Sequence, residues 1–120
     1  AQCKNLREVD LSNIADRQIS SHLFFECTNL AKISLPKEQI RIFDSNCFYH
    51  TALEKIVFDA KEVIVRRGAF GLTNLKKVVI GKTCDSIQMH DYAFHQADVE
   101  EFVIPESLSK HFNVTLDRIF

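Results

Sequence analysis

Residues 68–80 read GAFGLTNLKKVVI, and this phrase decides the fold because the chain repeats it. Its second half has apolar residues in a Leu-x-x-Val-x-Ile arrangement, and Phe70 stands five residues before the leading Leu75. Similar apolar triples begin at Leu6, Leu30, Leu53 and Val99. The leading residues of successive triples are therefore 24, 23, 22 and 24 positions apart. A period in the twenties indicates a solenoid, in which each repeat buries its apolar face against its neighbours.

Each repeat also carries a second apolar residue, five positions before a Phe that mostly follows a small residue. These pairs are Ile19 and Phe24, Phe43 and Phe48, Val65 and Phe70, and Met89 and Phe94. A small residue before Phe suits a tight, 3-10-like turn that directs the ring inward. We therefore expect the four Phe rings to stack as an aromatic spine, with short strands formed by the triples.

Residues 24–36 read FFECTNLAKISLP and resemble the BspA-like class of leucine-rich repeats, whose phrase is roughly small-Phe-x-x-Cys-x-x-Leu-x-x-Ile-x-Leu-Pro. The resemblance covers about residues 3–105, in about five repeats of 22–24 residues. Counted back from the leading apolar residue, the Cys position holds His50, Leu72 and Gln96 in later repeats. The resemblance implies a right-handed leucine-rich-repeat-like coil, with a parallel β-sheet of short strands on one face and short turns or 3-10 segments on the other.

The end of the chain departs from the repeat. After Pro105 the small-Phe phrase is missing, and Leu108 and Phe112 are spaced to share one helical face. We predict a repeat array over residues 1–105 and a C-terminal capping segment over residues 106–120, because solenoids need such caps. No cap precedes the first repeat, so we expect the C-terminal piece of a longer array, with end-to-end association left open at its N-terminal end.

Charge and composition exclude several classes of function. With 15 basic and 16 acidic residues and a net charge of −1, the chain lacks the positive field that nucleic-acid binding needs. No apolar run approaches the length that spans a membrane. The carboxylates and the five histidines show no catalytic or metal-ligand spacing, so we expect no enzyme, no metal and no cofactor.

Cys3 and Cys27 occupy the same place in adjacent repeats and would stack one strand spacing apart, at ~4.8 Å. A disulfide is geometrically feasible there. Free thiols that act as small apolar fillers are the interpretation we favour. The compartment stays open on this pattern.

Outward-facing residues of the predicted strands form the candidate site. One ladder consists of Glu8, Lys32, Lys55, Lys77 and Glu101. Beside it runs an apolar strip of Val57, Val79 and Val103. Lysines about 5 Å apart repel one another, so folding gains nothing obvious from them. They suggest a docking stripe for an acidic protein or a sulfated glycan; a solvated face whose valines suit a strand is the alternative.

The resemblance implies binding or adhesion rather than catalysis, since such proteins occur on surfaces of host-associated bacteria and in parasitic protists. We therefore expect a protein-interaction or adhesion module within a larger surface protein, at the cell surface or secreted. The alternatives are an intracellular scaffold in the cytoplasm and a structural spacer.

Overall fold

A computed structural model of the chain describes residues 3–11, 18–35, 38–108 and 118–120. These residues form nine short strands and one 3-10 turn, Glu106–Leu108. The strands are β1 (Glu8–Asp10), β2 (Gln18–Ile19), β3 (Lys32–Ser34), β4 (Glu38–Phe43), β5 (Lys55–Phe58), β6 (Ala60–Val65), β7 (Lys77–Ile80), β8 (Ser86–Met89) and β9 (Glu101–Val103).

The odd-numbered strands lie on the front of the coil and the even-numbered strands on the back. All pairings are parallel and join residues 22 to 24 positions apart, such as Val9 with Ile33 and Val57 with Val79. The repeat solenoid that the sequence predicts is confirmed. The back sheet β2-β4-β6-β8 was not predicted, because the sequence indicated only one apolar residue per repeat in this region.

Four six-residue turns, at 21–26, 45–50, 67–72 and 91–96, join the back sheet to the front. Within them, backbone N–H groups donate to the carbonyl three residues earlier, as from Phe25 to His22 at 3.1 Å. The second and sixth residues of each turn have positive φ, so no continuous 3-10 helix forms. Turns of successive coils also bond to each other, as from Phe70 N–H to Ala93 O at 2.9 Å.

The turns correct the alignment of the repeats. His50, Leu72 and Gln96 share the left-handed sixth position of the turn with Glu26, and therefore do not match Cys27. The residues that do match it follow one position later and are Thr51, Thr73 and Ala97, all buried like Cys27. The two threonine hydroxyls donate to Phe48 O at 2.9 Å and to Phe70 O at 2.8 Å. Counting forward from the Phe, rather than back from the leading apolar residue, gives the correct correspondence.

The predicted aromatic spine is present. Ring centroids of Phe24 and Phe48 lie 5.2 Å apart, those of Phe48 and Phe70 5.5 Å, and those of Phe70 and Phe94 5.4 Å. Each pair is stacked with an interplanar angle of 12°. Phe48, Phe70 and Phe94 are fully buried, and the Phe43 ring packs on Phe70 at an angle of 55°. The spine is therefore the centre of the core.

The last described residues extend the turn ladder. Phe94 N–H donates to Ile119 O at 2.8 Å, and the Phe120 ring lies 6.3 Å from Phe94 and 5.9 Å from Phe102. Leu108 and Ile119 are buried. Phe112, which was predicted to share a helical face with Leu108, lies outside the described residues. The division into a repeat array over residues 1–105 and a capping segment over residues 106–120 stays a prediction.

Cys3 and Cys27 form a disulfide, with their Cα atoms 5.1 Å apart. Our preference for two free thiols is therefore wrong for this pair, because side chains at matching positions of adjacent coils meet the geometric requirement of the bond. Cys47 and Cys84 are free and buried, and burial raises the pKa of both thiols.

Phe70→Ala is expected to lower the free energy of unfolding by about 3–5 kcal/mol, because it leaves a cavity in the middle of the spine. Urea denaturation of the variant and the parent measures the loss. Val57→Ala, at an exposed strand position, is the control and should change stability by about 0.5 kcal/mol or less. Equal effects of the two substitutions would contradict the assignment of the core.

Gly68→Ala and Gln96→Gly should change stability in opposite directions. Gly68 has a φ of 71°, and a Cβ there would overlap Asn46 Oδ1, so alanine should cost about 1–2 kcal/mol. Gln96 is exposed with a φ of 59°, so glycine should relieve strain and add about 0.5–1 kcal/mol. Chemical denaturation of both variants tests this turn geometry. A loss of stability in both variants would contradict it.

Removal of the bridge in Cys3→Ser/Cys27→Ser is expected to cost about 3 kcal/mol, because the bridge closes a loop of 24 residues. Urea denaturation measures this loss. Thiol titration of the unfolded, unreduced chain should find two sulfhydryls, those of Cys47 and Cys84. Four sulfhydryls before reduction would show that the bridge does not form.

Candidate functional site

The outward residues of β5, β7 and β9 form a continuous surface. Register pairs Val57 with Val79 and Val79 with Val103, so the predicted apolar strip crosses three hydrogen-bonded strands. Val57 and Val103 are 41% and 39% exposed, an amount that leaves each side chain available for contact. The valines face outward because side chains alternate between the two faces of each strand, and Ile56, Phe58 and Val78 take the buried positions.

The lysine ladder is interrupted. Lys55 pairs in register with Lys77, but Lys32 belongs to a separate two-stranded sheet, where it pairs with Glu8. The prediction of three lysines in one evenly spaced ladder is therefore wrong. The front sheet separates into β1-β3 and β5-β7-β9, and β3 is not hydrogen-bonded to β5.

The break coincides with a change in the length of the link that precedes each front strand. Cys27 stands three residues before Leu30, whereas Thr51 stands two before Leu53. Within each sheet, the residue after the leading apolar residue donates its N–H to the coil before, as from Lys76 to Glu54 O at 2.8 Å. Across the break, Ala52, which precedes Leu53, donates to Leu30 O at 2.9 Å. One missing residue therefore shifts the bonding and separates the strands.

A cleft of about 560 Å³ lies at this break. The residues that line it on the β3 side include Glu8, Lys32, Ile33, Ser34 and Leu35. Those on the β5 side are Glu54, Lys55, Ile56, Val57 and Asp59. Its lining thus combines apolar side chains with charges of both signs, and it joins the apolar strip through Val57. Lys32, Lys55, Val57 and Glu8 were already part of the outward ladders predicted from sequence, whereas Glu54 and Asp59 were not, because their place at the cleft depends on the break.

The lysines differ in their electrostatic partners. Lys77 Nζ lies 3.7 Å from Glu101 Oε1, and Lys76 Nζ lies 3.7 Å from Glu100 Oε1. Both pairs are well exposed, so each contributes little to stability. Lys32 and Lys55 form no ion pair with any carboxylate in the described part of the chain. These two cations, one on each side of the cleft, are thus available to an anionic partner.

Outside the front face, the described residues form no metal-ligand cluster. No group of three His, Cys, Asp or Glu side chains among residues 3–11, 18–35, 38–108 and 118–120 is placed to hold a metal ion. His50 Nδ1 lies 3.6 Å from Glu26 Oε2, with both side chains more than 40% exposed to solvent. Buried Arg41 lines a small cavity together with Asp59 on the inside of the coil.

The stacked parallel strands define a leucine-rich-repeat-like solenoid, and the comparisons with known proteins agree. A model of the BspA type leucine rich repeat region matches residues 1–114 in six copies. The chain therefore belongs to the BspA-type leucine-rich repeat family. Searches among curated proteins and among solved structures find no match.

Family membership indicates a repeat-based protein-interaction module. The family is generally non-catalytic, and its repeats typically occur in bacterial surface proteins. A search of the described residues finds no helix with the length and apolar character needed to span a bilayer.

Proposed function

We propose that the chain is an extracellular adhesion module whose front face binds an acidic segment of a host protein. The observation that carries this proposal is the cleft between β3 and β5, which has Lys32 on one side and Lys55 on the other. The partner's acidic side chains pair with these two lysines, and its apolar side chains cover the strip Val57–Val79–Val103.

Charge supports this partner. Lys55 stands next to Lys77 in register, which is unfavourable for folding by itself. Glu101 forms an ion pair with Lys77, whereas Lys55 forms none with a carboxylate of the described residues. An acidic side chain of a partner that pairs with Lys55 removes this remaining repulsion.

The edges of the break and the disulfide support the proposal further. The facing edges of β3 and β5 carry backbone groups with no strand partner in the described chain, and such edges accept an extended peptide. Disulfides persist in oxidising surroundings, so the Cys3–Cys27 bridge favours an extracellular module over a cytoplasmic scaffold.

A pull-down from host-matrix extract and from source-cell lysate, at low and at moderate salt, tests the proposal. The parent chain should retain a host-matrix protein, and moderate salt should weaken that binding because it screens charges beyond about 10 Å. Lys32→Glu/Lys55→Glu should abolish retention. The triple variant Val57→Lys/Val79→Lys/Val103→Lys should also abolish retention at moderate salt, since this variant removes the apolar contact.

Lys61→Glu/Lys82→Glu is the matched control, because it makes the same change of charge at exposed positions outside the cleft. Loss of binding in this control as well would mean that net charge alone is responsible. A partner found only in source-cell lysate would instead favour the intracellular scaffold. Lysine-dependent retention on heparin, with no protein retained, would make a sulfated glycan the ligand. If no variant changes what is retained, the front face is not the binding surface.

A further inference from the structure

A second concave site lies on the turn side of the coil, away from the front cleft. It is a notch of about 410 Å³ in the third turn, lined by Ser45, Asn46, Tyr49, Arg67, Gly68, Tyr92 and His95. The third turn carries two glycines where the other turns carry side chains. Gly68 matches His22, Asn46 and Tyr92, while Gly71 matches Phe25, Tyr49 and His95.

The two glycines have different structural reasons. Gly68 occupies the left-handed second position of the turn, where glycine avoids strain. Gly71 does not have a positive φ, and Phe, Tyr and His occupy its position in the other turns. The backbone therefore does not require glycine at 71. What the missing side chain provides is room for the Tyr49 ring, since a Cβ there would lie 2.9 Å from that ring.

Aromatic rings form the walls of the notch. Tyr49 is stacked on Phe25 with centroids 5.3 Å apart, which holds one wall in place. On the other side, Tyr92 packs edgewise on His95 at 5.1 Å, and the Arg67 guanidinium carbon lies 4.8 Å from the Tyr92 ring centre. Tyr49 from the second turn and Tyr92 from the fourth turn therefore both line the notch.

Arg67 supplies a cation at the notch. The neighbouring Arg66 is engaged with Asp44, whose Oδ1 lies 3.2 Å from Arg66 Nη1. Hydrogen bonding from the Ser45 N–H, and then the Arg66 guanidinium, hold the pKa of Asp44 below its ordinary value despite partial burial. Arg67 is exposed and forms no ion pair with a carboxylate of the described residues. Its guanidinium lies over the Tyr92 ring, which leaves the guanidinium edge available.

We propose that this notch binds a sugar ring that carries a carboxylate. The C–H faces of a pyranose pack on the rings of Tyr49 and Tyr92, and the carboxylate pairs with Arg67. The Ser45 hydroxyl, the Asn46 amide and the phenol hydroxyls offer neutral partners for the sugar hydroxyls. The notch is smaller than a protein interface requires, and its combination of two ring walls, neutral polar groups and one cation matches an acidic sugar.

Protein-observed NMR titration with glucuronic acid tests the proposal, with glucose as the neutral match and N-acetyltyrosine as an aromatic carboxylate. Glucuronic acid should shift the signals of Tyr49, Gly68 and Tyr92. It should bind at least about tenfold more tightly than glucose, because a charge-assisted pair with Arg67 contributes that much or more. The front-face residues Val57 and Val79 should not shift, which makes this result independent of the adhesion site.

Arg67→Gln should weaken binding of glucuronic acid about tenfold or more and leave glucose unchanged. Arg7→Gln, which removes an exposed arginine outside the notch, is the matched control and should have no effect. Thermal unfolding of both variants checks that the fold is intact. The proposal is overturned by equal binding of glucose and glucuronic acid, by binding that survives Arg67→Gln, by preference for N-acetyltyrosine, or by no shift at millimolar sugar.

Discussion

The stacking of one phenylalanine per coil is the interaction on which this structure depends. A single coil has no core of its own, so its apolar side chains are buried only when the next coil covers them. The rings are 5.2 to 5.5 Å apart, close to the ~4.8 Å between paired strands. Spine, turns and both sheets therefore share one repeat distance, and backbone hydrogen bonds form along all of them at once.

The spine also determines which part of a coil shifts when that coil has fewer residues. A backbone hydrogen bond between successive turns fixes the position of each Phe relative to the next, as from Phe48 N–H to Ala69 O at 2.8 Å. A change in the number of residues after the Phe cannot shift the turn, so it shifts the front strand that follows. The shorter link before Leu53 thus separates β3 from β5 while the back sheet, which precedes the turn, stays continuous through β8.

Features that repeat in every coil could be predicted from sequence, because a periodic pattern identifies the buried positions. The spine, the front strands and the alignment of Val57 with Val79 are of this kind. The back sheet could not be predicted, since strands such as β4 and β6 carry Arg41, Lys61 and Glu62 and depend on pairing rather than on alternation. The break was signalled by the link after Phe48, one residue shorter than that after Phe24, but its consequence depends on hydrogen bonding between coils.

Both proposed sites arise where a single coil departs from the repeat. A regular solenoid presents the same side chain at the same height in every coil, which gives ridges and no concave place for a ligand. One residue fewer before Leu53 opens the front cleft, and the turn-side notch lies at the one turn that carries glycines at its second and fifth positions. The spine tolerates both changes because neither alters the spacing of the stacked Phe rings. Stability and recognition therefore depend on different residues of the same repeat, so a coil can gain a binding site without losing its place in the stack.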